Sequence, residues 1–340
     1  LCETFKRFGK LEARVKRVIE RNLPLGEICI QDGVTFVKPL KEYPYDIVLT
    51  LNEDINVVEG EIVKLKSVRE EANKIIVKVI EKIGHKNSPD IDTLKVMAEL
   101  GVPTGFSDET RLEVESIPGE ISDKDYIGRT DLTNEVIFTI DGIDTKDIDD
   151  AIGLKILDNG NYLLNVSIAD VTNYVKWNSA LFNDAYLKGN STYMADRVEP
   201  MLPVELSNGI CSLNPNVPRC AVTTEIEFDK EGNVVKKRMF PSIIKSKKKM
   251  NYDAVNKIFA GEKVEGYEEF ESVLFKMLEL SKLLKKRKLE RGEIEFDSSE
   301  IKLVVDENGK VTDIKKRTSG LGEELIEEFM IASNEASISL

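Results

Sequence analysis

Five aspartates fall between residues 141 and 150 in the stretch DGIDTKDIDDAIG: Asp141, Asp144, Asp147, Asp149 and Asp150. Carboxylates crowded in this way repel one another and resist ionising unless a cation gathers them. The matching cation is magnesium, a hard ion that takes carboxylate and water oxygens in an octahedron; manganese accepts a similar set. A turn between them is expected to fold Asp141 and Asp147 toward one centre. Asp149 and Asp150 are consecutive and point differently, toward a second ion or a substrate group. Ile140, Ile143, Ile148 and Ile152 interleave the acids, and the pattern predicts that they bury the loop. The chemistry that follows is phosphoryl transfer, in which two divalent ions about 4 Å apart activate water and stabilise the departing oxygen. On these residues alone, a structural calcium loop and a solvated acidic bend stay open.

Other chemistries find less support. A calcium loop of the EF-hand kind needs acids at alternate positions and a glycine at the sixth. Counted from Asp141, the third position is Ile143 and the sixth Lys146; counted from Asp147, the fifth is Ala151. His85 is the only histidine and sits in the turn GHKNSPD, so a histidine-dependent nucleophile has nothing to build from. Cys2, Cys29, Cys211 and Cys220 form no CxxC pair, which argues against a zinc site and for reduced thiols in a cytoplasmic protein. No GxxxxGK[ST] loop is present. Positive charge is concentrated instead in KKRMFPSIIKSKKK, residues 236–249, which reads either as a contact for a nucleic acid strand or as a solvated hairpin edge.

The elements that must position the aspartates are legible around them. EVIFTI is a strand running into the cluster, AIGLKIL a second, and NYLLNVSIADV a third, almost continuously apolar as a central strand is. A helix is predicted around SALFNDAYLKG and a hairpin from 221–228 and 233–240 around DKEGN. Residues 269–290 form a long helix, apolar at Phe270, Val273, Leu274, Met277, Leu280 and Leu284, with Lys285 to Lys288 at its end. Residues 321–336 form another, with Leu321, Leu325, Phe329 and Ala332 on one side. Upstream, 11–83 holds six short strand patterns: EARVKRVIE, GEICIQ, VTFVKPL, YDIVLTL, EGEIVKLKSV and KIIVKVIEKI. Six strands in so short a span predict a small oligonucleotide-binding barrel of the cold-shock kind. Phe36, Tyr43 and Tyr45, near Lys38 and Lys41, read as base-stacking faces or as packing residues. IDTLKVMAELGV is a short helix stopped by Gly101 and Pro103.

The whole is an α+β chain of three segments. Residues 1–83 are an all-β cold-shock/OB-type domain, 84–129 a connector, and 130–340 part of a mixed α/β catalytic domain. With 340 residues, 41% apolar and 32% charged, it has material for a sizeable core and two domains. A net charge of −13 argues against nonspecific binding of polyanions and suits divalent cations. No apolar run is long enough to span a bilayer, so no membrane partner is expected.

TIDGIDTKDIDDAIG resembles the signature of the RNase II / RNase R family of hydrolytic 3′-to-5′ exoribonucleases. VSIADVTNYV, GNSTYMADRVEPMLPVELSNGICSLNP, ERGEIEF and LIEEFMIASNEA resemble further family stretches, in family order across 130–336. Residues 11–83 are similar to the family's second cold-shock domain, and IEKIGHKNSPDIDTLKVMAELGVPTGF resembles the linker of bacterial RNase R proteins.

The resemblance implies an RNB-type catalytic domain, Mg2+ as cofactor, and single-stranded RNA with a free 3′ end as partner, degraded by a monomer to nucleoside 5′-monophosphates. It places the family's metal site on Asp141, Asp147, Asp149 and Asp150, with Asp141 and Asp150 as ligands and Asp147 assisting. Asp147 and Asp149 are the implied catalytic pair, Asp149 being the family residue whose loss stops cleavage and spares RNA binding. Tyr193 falls on the aromatic that packs on the terminal base, a substrate-binding role. Asp144 and Asp170 are supporting positions, and Glu327 and Glu328 weaker ones. The family's catalytic module continues past Leu340 to a phosphate-contacting arginine and an S1 domain, and a first cold-shock domain precedes. The reading therefore expects a fragment of weak or no activity. Two alternatives remain beside it. One is a noncatalytic RNA-binding protein on the same fold, which would have lost the aspartates' charge. The other is a magnesium phosphoesterase for small nucleotides, which needs neither the barrel nor Gly189 to Pro215.

Overall fold

The structure, a computed structural model, describes residues 2–16, 22–50, 55–194, 196–294, 300–306, 311–317 and 319–338. It divides into two compact units: 1–104 with 192–199 and 303–314, and 105–191 with 200–302 and 315–340.

In the first unit, β1 (Cys2–Arg7) and β2 (Lys10–Val15) make an antiparallel hairpin whose strand residues are all exposed. The first of the six predicted strands therefore leaves the barrel. Its charges gather on one face (Lys10, Glu12 and Arg14 opposite Arg7, Phe5 and Glu3), and the other face, Leu11, Ala13 and Val15 opposite Lys6, Thr4 and Cys2, stays exposed instead of entering a core. Residues 17–20 of that pattern lie outside the described residues. The other five form one sheet: β3 (Gly26–Gln31), β4 (Val34–Pro39), β5 (Asp46–Leu49), β6 (Glu61–Glu71) and β7 (Lys74–His85). Their order is β4-β3-β6-β7-β5. β5 pairs with β7 in parallel and lies beside β4, so the sheet curls into a five-stranded barrel. Ile28, Val37, Val63, Leu65, Ile75 and Val77 alternate inward and fill it. Tyr43 and Tyr45 pack against this core, whereas Phe36 points outward. α1 (Ile91–Leu100) follows and is closed by Gly101 at φ +68°, a left-handed cap. His85 is structural: Asn87 N–H donates to its Nδ1 at 3.2 Å, and its Nε2 lies 3.2 Å from the Glu59 carbonyl.

The second unit is built on a seven-stranded sheet. Its members are β8 (Thr130–Asp131), β9 (Ile137–Asp141), β10 (Asp150–Ile156), β11 (Tyr162–Ala169), β12 (Pro218–Phe228), β13 (Val234–Lys245) and β14 (Lys249–Asn251). The order is β14-β9-β10-β11-β12-β13-β8. Its helices are α2 (Asp108–Glu115), α3 (Ala180–Lys188), α4 (Tyr252–Phe259), α5 (Glu271–Glu290) and α6 (Leu321–Ile338). Phe138, Ile140, Ile152, Leu154, Leu164, Val166, Ile226 and Phe228 line one face and pack on α4, α5 and α6 through Val255, Leu274, Met277, Leu325 and Phe329. The opposite face carries Ile137, Ala151, Ala169, Ala221 and Ile244, covered by Ile148 and Leu213. Burial on both faces is why β11 reads as a near-continuous apolar run. Gly153 belongs to this crossing: a Cβ there would sit 2.9 Å from both the Val136 carbonyl and Ile137 Cγ1.

The short helix α3 depends on its cap. Ser179 accepts a hydrogen bond from Phe182 N–H at 3.1 Å. Ser179→Ala is expected to cost about 1 kcal/mol of unfolding free energy, read from denaturant midpoints at unchanged m-value. Among the described residues, no helix is long and apolar enough to cross a membrane.

Candidate active site

β9 ends on Asp141 and β10 begins on Asp150, and the two strands pair antiparallel through Ile152↔Phe138 and Gly153↔Ile137. The loop between them is held by main-chain ties. Thr145 N–H closes a turn on the Gly142 carbonyl at 3.1 Å. Ser212 Oγ donates to the Lys146 carbonyl at 2.8 Å and accepts from Ile148 N–H at 3.2 Å. Leu213 N–H reaches the Ile148 carbonyl at 2.9 Å, and Ala169 N–H the Asp149 carbonyl at 2.9 Å. From β14, Lys249 donates to the Thr145 carbonyl. Ile148, fully buried, plugs the loop into the small-residue face of the sheet.

Of the four isoleucines expected to bury the loop, Ile140, Ile148 and Ile152 do so. Ile143 does not: it is 67% exposed and shares the solvated stretch 142–144 with Asp144. The turn at Gly142 and Thr145 lifts this stretch away from the Ile148 anchor.

The acids of the loop act on one another's carboxyls. Burial, then the Asp150 charge, push the Asp141 carboxyl up to about 7, ahead of weaker effects from Asp149 and Asp147; Lys249 opposes the rise. Burial and then Asp149 raise Asp150 to about 6. Asp149 is raised by surrounding protein and then by Asp147, though its surface reaches solvent. Asp141 thus feels Asp150 most among the acids, Asp150 feels Asp149, and Asp149 feels Asp147; the antiparallel pairing of β9 and β10 brings Asp141 and Asp150 to one end of the sheet.

Asp141 and Asp150 each hold a buried carboxylate oxygen, Oδ2, with no hydrogen-bond partner. A buried anionic oxygen without a donor is costly, and a divalent cation is the partner that suits it. Among the described residues, no three or more His, Cys, Asp or Glu side chains stand close enough together to form a complete chelate. Magnesium's preference for keeping several waters fits two protein carboxylates better than an all-protein cage.

These raised values set a pH dependence. Folded Asp141 and Asp150 keep protons that the unfolded chain releases near 3.8. Their contribution to stability is fully present below that pH and is lost as pH rises through about 6 to 7. In chelator, this site is expected to lower the melting temperature between pH 5 and 8. Magnesium should reverse the fall, and Asp141→Asn should flatten it, as read by differential scanning calorimetry.

The remaining candidates are scattered. Tyr193 lies on a two-residue strand paired with Val198, 66% exposed, in the first unit, whereas the aspartates lie in the second. Asp170 is engaged elsewhere: its carboxylate pairs with Arg129 and accepts from Thr172 Oγ1 at 2.6 Å. It anchors the end of β11. Glu328 is buried in an ion pair with Lys288 at 2.6 Å, and Glu327 is exposed 3.7 Å from the same ammonium, so both serve the α5–α6 contact. In the basic run, Arg238 pairs bidentately with Glu225, Lys247 donates to the Thr133 carbonyl, Lys248 lies over the Tyr267 ring, and Lys249 holds the aspartate loop. Much of that charge is structural. Glu295 and Phe296 of ERGEIEF lie outside the described residues.

Ser212 and Arg129 escaped the sequence reading. A serine or arginine signals nothing until its partners are known.

Two family models match the chain: an RNB domain over residues 129–339 and a cold shock domain over 36–107. Ribonuclease R of Thermotoga maritima is 45% identical over 262 residues, covering 76% of this chain and 37% of that protein. Ribonuclease R of Mycoplasmopsis pulmonis is 36% identical over 333 residues, 96% of this chain and 45% of its own length. Among solved structures, Mycoplasma genitalium RNase R in complex with ribose methylated single-stranded RNA superposes with a TM-score of 0.85 at 28% identity, covering 97% of this chain and 53% of that one. The chain thus spans less than half the length of these two curated relatives.

Proposed function

The chain belongs to the RNB-domain family, and from that premise we propose that it is a hydrolytic 3′-to-5′ exoribonuclease. Its substrate is single-stranded RNA with a free 3′ end, its cofactor Mg2+, and its products nucleoside 5′-monophosphates. The observation that carries this reading is the pair of buried, donor-free carboxylate oxygens on Asp141 and Asp150, inside the region that matches the family.

Asp141 and Asp150 would hold the ion, with Asp147 and Asp149 at its open side. When bound, magnesium supplies the positive charge that a dianionic transition state requires. The protein's own side chains do the rest. Asp149, exposed beside Asp147, orients the attacking water and takes its proton, a role its raised carboxyl suits. The water oxygen bonds to phosphorus, the P–O3′ bond breaks, and the departing O3′ takes up a proton from solvent. The shortened strand keeps its 3′-hydroxyl, and the released nucleoside carries the 5′-phosphate. Tyr193 stacks on the terminal base. Ser212 and Lys249 hold the loop carbonyls so that the four acids keep their spacing.

The test uses a 5′-labelled RNA of about 20 nucleotides with magnesium, given to this chain and to a polypeptide of its relatives' full length. The expected product is a ladder that shortens from the 3′ end and disappears in chelator. Binding without cleavage by either polypeptide would sink the nuclease and bring forward the noncatalytic reading. Cleavage confined to small nucleotides would favour the phosphoesterase.

A further inference from the structure

On the second unit, three aromatic rings form an exposed tier that the proposed chemistry does not use. Trp177 is 79% exposed and Tyr186 80% exposed, with Phe182 half-buried between them. The Trp177 and Phe182 ring centroids lie 4.6 Å apart, tilted by 45°. Phe182 and Tyr186 lie 6.0 Å apart and within 20° of parallel. Single exposed apolar side chains are ordinary, but a contiguous row of rings marks a surface that is covered in use.

The charge around the row says what covers it. Two half-buried carboxylates of α2 and α3 are engaged by donors. Asp184 accepts from Ser107 N–H at 2.8 Å and Ser107 Oγ at 2.9 Å, and Glu113 accepts from Leu181 N–H at 2.9 Å. Lysines stand at the two ends. Lys176, which precedes Trp177, is exposed with its ammonium 3.3 Å from the Thr172 carbonyl, and Lys188, which follows Tyr186, lies with its ammonium 4.8 Å from the Phe106 ring and acts on the Asp184 carboxylate. Rings with an ammonium group at each end, and with Asp184 and Glu113 engaged by donors, match a strand of stacked bases with a phosphate backbone. An apolar protein partner would have no use for the end charges. Position agrees. The chain leaves the sheet at Ala169, hydrogen-bonded to Asp149, and Trp177 follows Asp170 by seven residues, a reach of at most about 25 Å.

We infer that Trp177, Phe182 and Tyr186 form a stacking platform for single-stranded RNA on the aspartate end of the sheet. This rests on the RNA reading above but not on cleavage.

Trp177 is the only tryptophan, so its fluorescence reports on this surface alone. The experiment titrates the chain in EDTA with a single-stranded 20-mer, following tryptophan emission and the anisotropy of a labelled RNA together. Quenching that tracks binding is expected for single strands, with blunt duplex RNA giving little. Tyr186→Ala and Phe182→Ala should each weaken single-strand affinity by roughly five- to tenfold, with circular dichroism and melting temperature confirming the fold. Tyr186→Phe, which keeps the ring, should restore it. Binding seen by anisotropy with unchanged emission, or unaltered affinity in the alanine variants, would overturn the platform. A concentration-dependent emission change without RNA, with dimers in sedimentation, would assign the row to a second copy of the chain instead. No RNA binding at all would end the RNA reading and the platform with it. Binding with quenching but no hydrolysis in magnesium would leave the platform standing and end only the nuclease.

Discussion

Asp149→Asn is expected to bind single-stranded RNA as tightly as the parent and to hydrolyse it roughly 10²–10⁴-fold more slowly. Asparagine keeps the shape of the side chain. The Asp149 main chain stays tied through its carbonyl to Ala169 N–H, and β10 begins at the next residue. What is lost is the charge beside Asp147 and the group that takes a proton from water. Removing a negative charge near RNA phosphates does not weaken binding, so the effect belongs in kcat and leaves Kd unchanged. Asp144→Asn, on the exposed part of the same loop, should change the rate by no more than a few-fold. Single-turnover cleavage with gel-shift affinities separates the two. An Asp149→Asn chain that cleaves normally, or an Asp144→Asn chain that does not, would show that the loop presents its acids differently.

The second large effect concerns stability. Arg129 and Asp170 form an ion pair with side chains only 11% and 8% exposed. Arg129 also donates to the Ala221 carbonyl and to Asn173 Oδ1, both at 3.2 Å. Arg129→Met strands a buried carboxylate and should lower the unfolding free energy by about 3–5 kcal/mol. Asp170→Asn in the same chain removes that unpaired charge and should recover part of the loss; additive losses in the double mutant would mean that the pair is not coupled. The pH response is the reverse of that at Asp141. Burial alone would raise Asp170, but hydrogen bonds from Thr172 and Arg129 outweigh it and hold the carboxyl below its ordinary range. Its contribution is therefore present above the unfolded value of 3.8 and is lost as pH falls through the lower folded one. Chemical denaturation between pH 3 and 7 should show the parent losing this increment on acidification and the double mutant losing less.

Much of the architecture was legible because period reports burial. The alternation in GEICIQ and KIIVKVIEKI placed barrel strands, and the apolar run in NYLLNVSIADV marked a strand covered on both sides. The spacing of Leu274, Met277 and Leu280 marked a helix face. EARVKRVIE misled because β2 alternates apolar and charged residues as a barrel strand does, yet it pairs with β1 alone and every residue of it is exposed. Its partner, Cys2–Arg7, was not suspected. At the site, the identity of the acids was plain and the resemblance already set Asp141 with Asp150, yet the tie of the Lys146 carbonyl to Ser212 was not legible. Neither was the commitment of Asp170 to Arg129, 41 residues away in sequence, nor the engagement of Lys249 with the Thr145 carbonyl and of Arg238 with Glu225.

By itself the sequence determined that an all-β segment precedes a mixed α/β one and that five acids crowd one short stretch between two strands. These follow from local composition and period, which neighbouring residues set among themselves. Only the tertiary structure decided which acids face one another, which basic residues are spent on carbonyls and carboxylates, and which aromatics remain in solvent. Those outcomes depend on strand register and on long-range hydrogen bonds such as Ser212 to Lys146, 66 residues apart. A side chain's charge is written in its type, but its partner is chosen by whatever the folded backbone brings within about 3 Å of it.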